Sequence, residues 1–243
     1  ANHCNDVGAI CHDVAFPFLQ ARLSWHREKI LRAVSTAFGH RLMMDCVVPG
    51  GVAADIAPDA LPPLLETLGA LLEELPELTR VYDDYASLAD RLTGTGRLPP
   101  ALAAAFAPGG VVGRAAGQTL DGRLLPHVLP DDTMPRPRPI TLGEGDVDAR
   151  TRLRLLELPP AIALVRSLLG SLPDGPLAVV LPQVAGEGYG AAESFRGDCW
   201  AWLRLDAGVI AAGFLADPSW RQWPLLEAAV IGNIIADFPV INK

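Results

Sequence analysis

The chain has 243 residues, half of them hydrophobic, with 20 Lys and Arg against 28 Asp and Glu and a net charge of −8. Such an apolar content excludes intrinsic disorder, and an acidic balance with no basic run disfavours a nucleic-acid partner. The longest uncharged stretch, residues 98–113, is broken by Gly and Pro and falls short of the roughly 18–20 apolar residues that a membrane span requires.

Along the chain, residues 2–38 carry apolar side chains at Val7, Ile10, Val14, Phe18, Leu31, Val34 and Phe38, the spacing of a helical stripe. Pro17 should kink or divide this helix, and Gly39 should stop it. Pro49-Gly50-Gly51 reads as a turn. Asp59 is placed to cap the next helix, with Pro62 and Pro63 in its first turn. Leu61, Leu64, Leu68, Leu71, Leu75, Leu78, Tyr82, Tyr85, Leu88 and Leu92 then recur about every 3.5 residues, the pattern of bundle packing. Pro76 is expected to divide that stripe into two helices, and Thr93 to Gly96 to end it. A short Ala-rich helix follows near residues 100–107.

Residues 109–145, with five prolines between Pro126 and Pro139, are expected to be extended and surface-lying. Residues 146–169 read as a helix interrupted at Pro159-Pro160. The pattern then changes. Residues 176–182 read as a strand, and 194–205 with 209–215 as a hairpin about Asp206-Ala207-Gly208. Pro218 should open a last helix reaching Ala236. Four of the five Trp fall between Trp200 and Trp223, which predicts that the β layer and the last helix pack together. The expected class is mainly α (α+β), a helical bundle with a small antiparallel β layer near its C-terminal end. One domain covers 1–243, made of a bundle (1–108), a Pro-rich extended segment (109–145) and a helix, hairpin and last helix (146–243).

The residues with chemistry are scattered. Cys4, Cys11, Cys46 and Cys199 form no CxxC pair and read as reduced, buried thiols. His3, His12, His26, His40 and His127 show no zinc spacing. Gly186-Glu187-Gly188-Tyr189-Gly190 lacks the strand-before, helix-after context of a phosphate loop, and Arg196-Gly197-Asp198 matches an adhesion motif by letter only. Nothing at the N-terminus resembles a signal peptide, so the expected compartment is cytoplasmic. Residue 1 is not Met and the chain stops just after an apolar helix, so it is expected to be an internal stretch of a longer protein.

Six stretches, in order, carry a resemblance. They are Ala1-Asn2-His3-Cys4-Asn5-Asp6-Val7-Gly8-Ala9-Ile10, Gly39 to Asp45 followed by Pro49-Gly50-Gly51-Val52, Gly145 to Arg150, Glu193-Ser194-Phe195-Arg196-Gly197, Asp217 to Trp220, and Trp223 to Pro239. Together they resemble the family that unites the large subunit of [NiFe] hydrogenases with the 49 kDa subunit of respiratory NADH:quinone oxidoreductase. The resemblance is closest to the energy-converting, formate hydrogenlyase type. It implies a [NiFe]-hydrogenase large-subunit-like fold and electron transfer coupled to H2 or quinone chemistry. It implies a small iron–sulfur subunit as partner in a membrane-associated redox complex, with a cytoplasmic location peripheral to the inner membrane. Self-association of the isolated chain is the corollary.

The family holds its nickel–iron centre through two Cys pairs, which the resemblance places before Ala1 and after Lys243. No cofactor is therefore expected in this stretch, which alone should be inactive, and the parent would hold nickel only if it keeps those pairs. By resemblance Arg196 occupies the position of an Arg that hangs over the metal site in hydrogenases, placed to shape the electrostatics of a substrate cavity, and Glu193 and Arg196 are the catalytic candidates. An Arg196 ion pair with Glu193 or a neighbouring carboxylate is the competing structural role. Departures from the family pattern are Phe195 for a Pro, Ala201 for a His, Val48 for an Arg, and Pro159-Pro160 within a helix. A divergent, non-catalytic paralogue serving as an assembly scaffold is the alternative.

Overall fold

The structure, a computed structural model, describes residues 1–124 and 135–243. Helices α1 (Asn2–Asp13) and α2 (Pro17–Phe38) pack together, divided as expected just before Pro17. A two-residue ladder, β1 (Val47–Val48) with β2 (Gly51–Val52), closes over Pro49-Gly50. Then come α3 (Leu61–Asp84), α4 (Ala86–Leu92), α5 (Pro100–Phe106), α6 (Gly110–Ala115) and α7 (Val147–Leu169). Strands β3 (Gly186–Ser194), β4 (Gly197–Asp206) and β5 (Val209–Ala216) form one antiparallel sheet in that order. Helices α8 (Ser219–Ala229) and α9 (Phe238–Ile241) end the chain. Among the described residues, no helix is long and apolar enough to cross a membrane.

The main core forms where α3 turns its stripe inward. Leu64, Leu68, Leu71, Leu75, Leu78 and Tyr82 are buried, in one cluster with Val7, Ile10, Leu19 and Leu23. Each such side chain contributes roughly 1.5–3 kcal/mol by leaving water. That explains why Pro76 does not divide the helix: α3 runs unbroken through it. The missing N–H costs one hydrogen bond, Pro76 itself is exposed, and the burial on either side outweighs a penalty of about 3 kcal/mol. The break comes instead at Tyr85 (φ −92°, ψ 92°), whose ring stacks on Phe16 at 4.1 Å. Helix α7 likewise continues through Pro159-Pro160. Asp59 caps nothing, because it lies in a 3-10 turn, Pro58–Ala60, that leads directly into α3. Pro62 and Pro63 already remove two of the donors a cap would satisfy. Asp146 does cap its helix, accepting from the Ala149 amide at 2.8 Å and the Gly94 amide at 2.7 Å.

Residues 109–145 are not simply an extended surface segment. Helix α6 is buried at Val111, Arg114 and Ala115, and a 3-10 turn spans Gly122–Leu124. Residues 135–142 have no regular structure, whereas Pro126, His127, Pro130 and Met134 lie outside the described residues. Residues 176–182 do not form a strand. Their backbone joins the β1–β2 turn through one bridge, Ala178 to Gly51, and Val180 is 99% exposed. The strand lies later and includes Gly186 to Gly190. The expected strand at 194–205 is split by a turn at Phe195-Arg196, while the hairpin at Ala207-Gly208 holds, with φ of 47° and 80° as a type I′ turn requires. The last helix stops at Ala229 rather than Ala236, since Gly232 (φ 82°) and a 3-10 turn at Ile235–Asp237 intervene. Sheet and α8 meet as expected, with the Phe214 and Trp220 rings 5.7 Å apart.

Candidate functional site

The Phe195-Arg196 turn forms one wall of a cavity of about 470 Å³. Helix α6 contributes Val111 and Val112, α7 contributes Arg150 and Arg154, and α8 contributes Gln222 and Trp223. Glycine fixes the approach. At Gly110 (φ 65°) a Cβ would lie 2.7 Å from the Gly197 nitrogen, and Gly197 itself has φ 126°. Only glycines let these two backbones touch. The turn is braced by Ser194, whose hydroxyl donates to the Gly197 carbonyl at 2.9 Å and accepts from the Arg196 amide at 3.2 Å. Gln222 Nε2 donates to the Arg196 carbonyl.

Arg196 is exposed and its guanidinium sits 4.8 Å from the Phe195 ring centre, a cation–π contact that the usual Pro could not make. Among the described residues no carboxylate pairs with it. Asp217 faces the same cavity but is engaged by Ser219, through its amide at 2.8 Å and its hydroxyl at 2.5 Å. Those hydrogen bonds, with the Arg196 charge a minor contributor, hold the Asp217 carboxyl below its usual range.

Two further arginines lie beneath. Arg154 is buried, donating to Asp6 at 3.2 Å, to the Arg150 carbonyl at 2.9 Å and to the Lys243 carbonyl. Among the described residues Arg150 has only carbonyl partners, those of Gly96 (3.2 Å), Gly145 (3.0 Å) and Ile241 (3.4 Å). Burial, and then the neighbouring Arg154, push its pKa down to about 10, against the pull of Asp146. Lys243, also on the wall, is paired with Asp13 at 3.6 Å, so the positive potential of the cavity comes from Arg150 and Arg196, with Asp217 the lone acidic side chain among the described lining residues.

Glu193 sits behind the turn rather than in the cavity wall. It accepts from Arg114 Nη1 at 2.7 Å and from the Gly122 amide, with its side chain 4% exposed. Arg114 also holds Glu157 (3.0 Å), which pairs with His3 at 3.0 Å, while Asp121 pairs with Arg123 at 2.6 Å. This chain of ion pairs ties β3 to α6, α7 and α1. Burial pushes the Glu157 carboxyl up, but the His3 hydrogen bond and the Arg114 charge outweigh it and leave the pKa lowered. Glu193 is thus occupied away from Arg196. The sequence reading overlooked Arg114, Arg154 and Glu157. The spacing of Arg150, Arg154 and Glu157 was the available signal, since it places three charges on one helical face among buried Val147, Thr151 and Leu158.

Cys4 and Cys11 are buried, and Cys46 and Cys199 are half-buried. Burial pushes the Cys11 thiol up to about 12 and also raises Cys4. Among the described residues no three His, Cys, Asp or Glu side chains are placed to hold a metal ion. A nickel–iron centre demands thiolates, and these residues do not fit it.

The sequence profile of the respiratory-chain NADH dehydrogenase 49 Kd subunit family matches residues 18–185. The chain belongs to this family. Its lineage is that of hydrogenase large subunits and NADH–quinone oxidoreductase subunits, oxidoreductases of respiratory complexes. It is similar to the carbon monoxide-induced hydrogenase of Rhodospirillum rubrum, 29% identical over 99% of this chain and 68% of that one. It is 31% identical to the NADH-quinone oxidoreductase C/D polypeptide of Phocaeicola vulgatus over 82% of this chain, and 26% identical to formate hydrogenlyase subunit 5 of Escherichia coli over 99%. The matched stretches span 38% and 42% of the length of these last two. Its fold matches a chain of the membrane-bound sulfane sulfur reductase, an archaeal respiratory membrane complex, with TM-score 0.87 at 24% identity over 98% of this chain and 67% of that one. The family profile ends before Glu193 and Arg196, but the hydrogenase similarity runs through them.

Proposed function

We propose that this chain builds the substrate-cavity wall of an oxidoreductase large subunit that couples electron transfer to H2 or quinone chemistry. The observation that carries this is Arg196, held on a braced turn at the cavity and in no ion pair among the described residues, the one lining carboxylate, Asp217, being hydrogen-bonded to Ser219. A substrate that gains electrons develops negative charge. A guanidinium fixed beforehand stabilises that charge without reorganising, and Arg150 behind it keeps the local potential positive. Glu193 acts as a positioning residue: through Arg114 and Gly122 it anchors the strand that leads into the Arg196 turn. This stretch supplies no ligand to a nickel–iron centre. Flanking Cys pairs in the parent protein would do so. The parent would sit on the cytoplasmic side of the inner membrane, held there by a small iron–sulfur subunit and other partners.

The test is Arg196→Lys in the membrane complex that contains the chain, assayed for H2 evolution from a reduced dye and for quinone reduction. Lysine keeps the charge but loses the planar fork. Turnover should fall about 10²–10³-fold in whichever assay the complex supports, with the melting temperature unchanged. Full turnover would remove Arg196 from the mechanism, and a loss of activity that tracks loss of folded protein would make it structural.

A further inference from the structure

A guanidinium stabilises developing charge only if it is already in place when the charge appears. An exposed arginine is not in place by default, because its side chain carries one of the largest rotamer entropies of any residue. Arg196 is exposed, and what braces it acts on its backbone: Ser194 accepts from its amide at 3.2 Å and Gln222 donates to its carbonyl. Those bonds fix the Cα and leave the rotatable bonds beyond it free. Asp217 is near enough for its charge to be felt, but the two form no ion pair, and Asp217 Oδ1 accepts from the Ser219 amide and hydroxyl. Among the described residues, the one contact made to the guanidinium itself is the ring of Phe195, with its centre 4.8 Å away.

Phe195 is placed for this task. It is half-buried and lines the same cavity as Arg196. In a continuous strand the two side chains would point to opposite faces. Here β3 ends at Ser194 and β4 begins at Gly197 (φ 126°), and the turn between them brings both to one wall. A carboxylate would order the guanidinium by neutralising it, and a carbonyl would do so by occupying a donor. An aromatic face orders it by lying against its planar, weakly hydrated surface, which leaves the charge and the N–H groups free. We propose that Phe195 is the positioning residue for Arg196, holding its guanidinium in one orientation at the cavity wall with charge and donors intact. This role rests on the function proposed for Arg196.

The test compares Phe195→Leu, which keeps apolar bulk without an aromatic face, with Phe195→Tyr, which keeps the face. In the full chain the Arg196 Nε–Hε resonance is assigned by its loss in Arg196→Lys. Phe195→Leu should move it downfield, as the ring current is lost, and give it the fast relaxation of a solvated arginine; Phe195→Tyr should change neither. In the membrane complex Phe195→Leu should lower kcat about 2- to 5-fold, the range of an exposed cation–π contact, with KM and the melting temperature unchanged. Phe195→Tyr should keep full kcat. The proposal is overturned by a resonance that Phe195→Leu leaves in place or that loses its order in Asp217→Asn instead. It is also overturned by a kcat lost equally in the Leu and Tyr variants, by a rise in KM alone, or by a melting temperature that falls with kcat. Full kcat in Phe195→Leu beside an impaired Arg196→Lys removes Phe195 and leaves Arg196 standing, whereas full kcat in Arg196→Lys removes both.

Discussion

In the bundle, Leu64, Leu68, Leu71, Leu75 and Leu78 turn one face of α3 into an apolar seam against α2 and α7. In the three-stranded sheet, Tyr189 is 81% exposed, Leu215 73% and Ile210 62%. The sheet has no comparable apolar floor. It is joined to the body by the ion-pair chain from Glu193 through Arg114 to Glu157 and His3, by the glycine contact at Gly110 and Gly197, and at α8 by the Phe214–Trp220 ring contact and the Gln222 hydrogen bond to the Arg196 carbonyl. Burial that depends on shape tolerates small losses. A buried charge chain does not, because removing one member leaves its partners desolvated and unpaired.

Arg114→Ala should therefore have the largest effect on structure. It strands Glu157 and Glu193 together, at a cost of about 3–5 kcal/mol. The loss should be local. Amide hydrogen exchange should accelerate in β3 and the 122–124 turn while α3 keeps its protection. Leu78→Ala, at about 2–5 kcal/mol, should instead lower protection throughout the bundle. If Arg114→Ala releases α3 together with the sheet, the two regions are one cooperative unit and the contrast fails.

Acid should separate the regions next. The Glu157 and Asp121 carboxyls are raised by burial but lowered further by their partners, His3 and Arg114 for the first and Arg123 for the second. A folded pKa depressed below the unfolded value, about 4, gives stability that is present above that value. It is lost as pH falls through the folded pKa. The anchor should thus weaken below about pH 4. The leucines of the seam carry no charge, its Glu74, held low first by the Arg22 hydrogen bond and also by His26, is partly exposed, and solvated pairs such as Arg80–Glu77 contribute little, so the bundle should respond less. Four of the five Trp lie at 200–223, on the sheet and α8. Their fluorescence should change at a higher pH than the helical circular dichroism. Coincident transitions would count against the separation.

The same contrast explains what the sequence disclosed. The bundle was legible because a stripe of leucine at helical spacing has one solution, and the Ala207-Gly208 turn because two consecutive positive φ angles favour few residues. Prolines misled, since Pro76 and Pro159 lie on exposed positions of helices whose opposite faces are held by burial. Helix α6 was hidden by Gly109, Gly110 and Gly113, of which the first two pack against Gly197 in the Arg196 turn and the third against the Pro108 carbonyl. At the site, resemblance located Arg196 and Glu193, but their different surroundings were not readable. Glu193 is satisfied by Arg114, a residue 79 positions away in sequence, and no local pattern reports such a pairing.

The smallest effect on folding, and the sharpest on behaviour, should come from the sheet surface. Residues directly opposite across antiparallel strands share a face. The register pairs Gly186 with Leu205, Gly188 with Leu203 and Gly190 with Ala201, and pairs Leu205 with Ile210 and Ala201 with Leu215. One face is therefore flat at the glycines and carries exposed apolar side chains at Leu203, Ile210 and Leu215, the kind of grouping that marks an interaction surface. The purified chain should self-associate through this face, with light scattering giving a mass that rises with concentration. Ile210→Lys/Leu215→Lys should restore a monomer. Because both side chains are exposed, stability should change by less than about 0.5 kcal/mol each. A parent chain that stays monomeric at high concentration would show that the face needs no cover. Association that survives the double variant would place the contact elsewhere, on the exposed apolar residues of α8 or of the 176–184 segment.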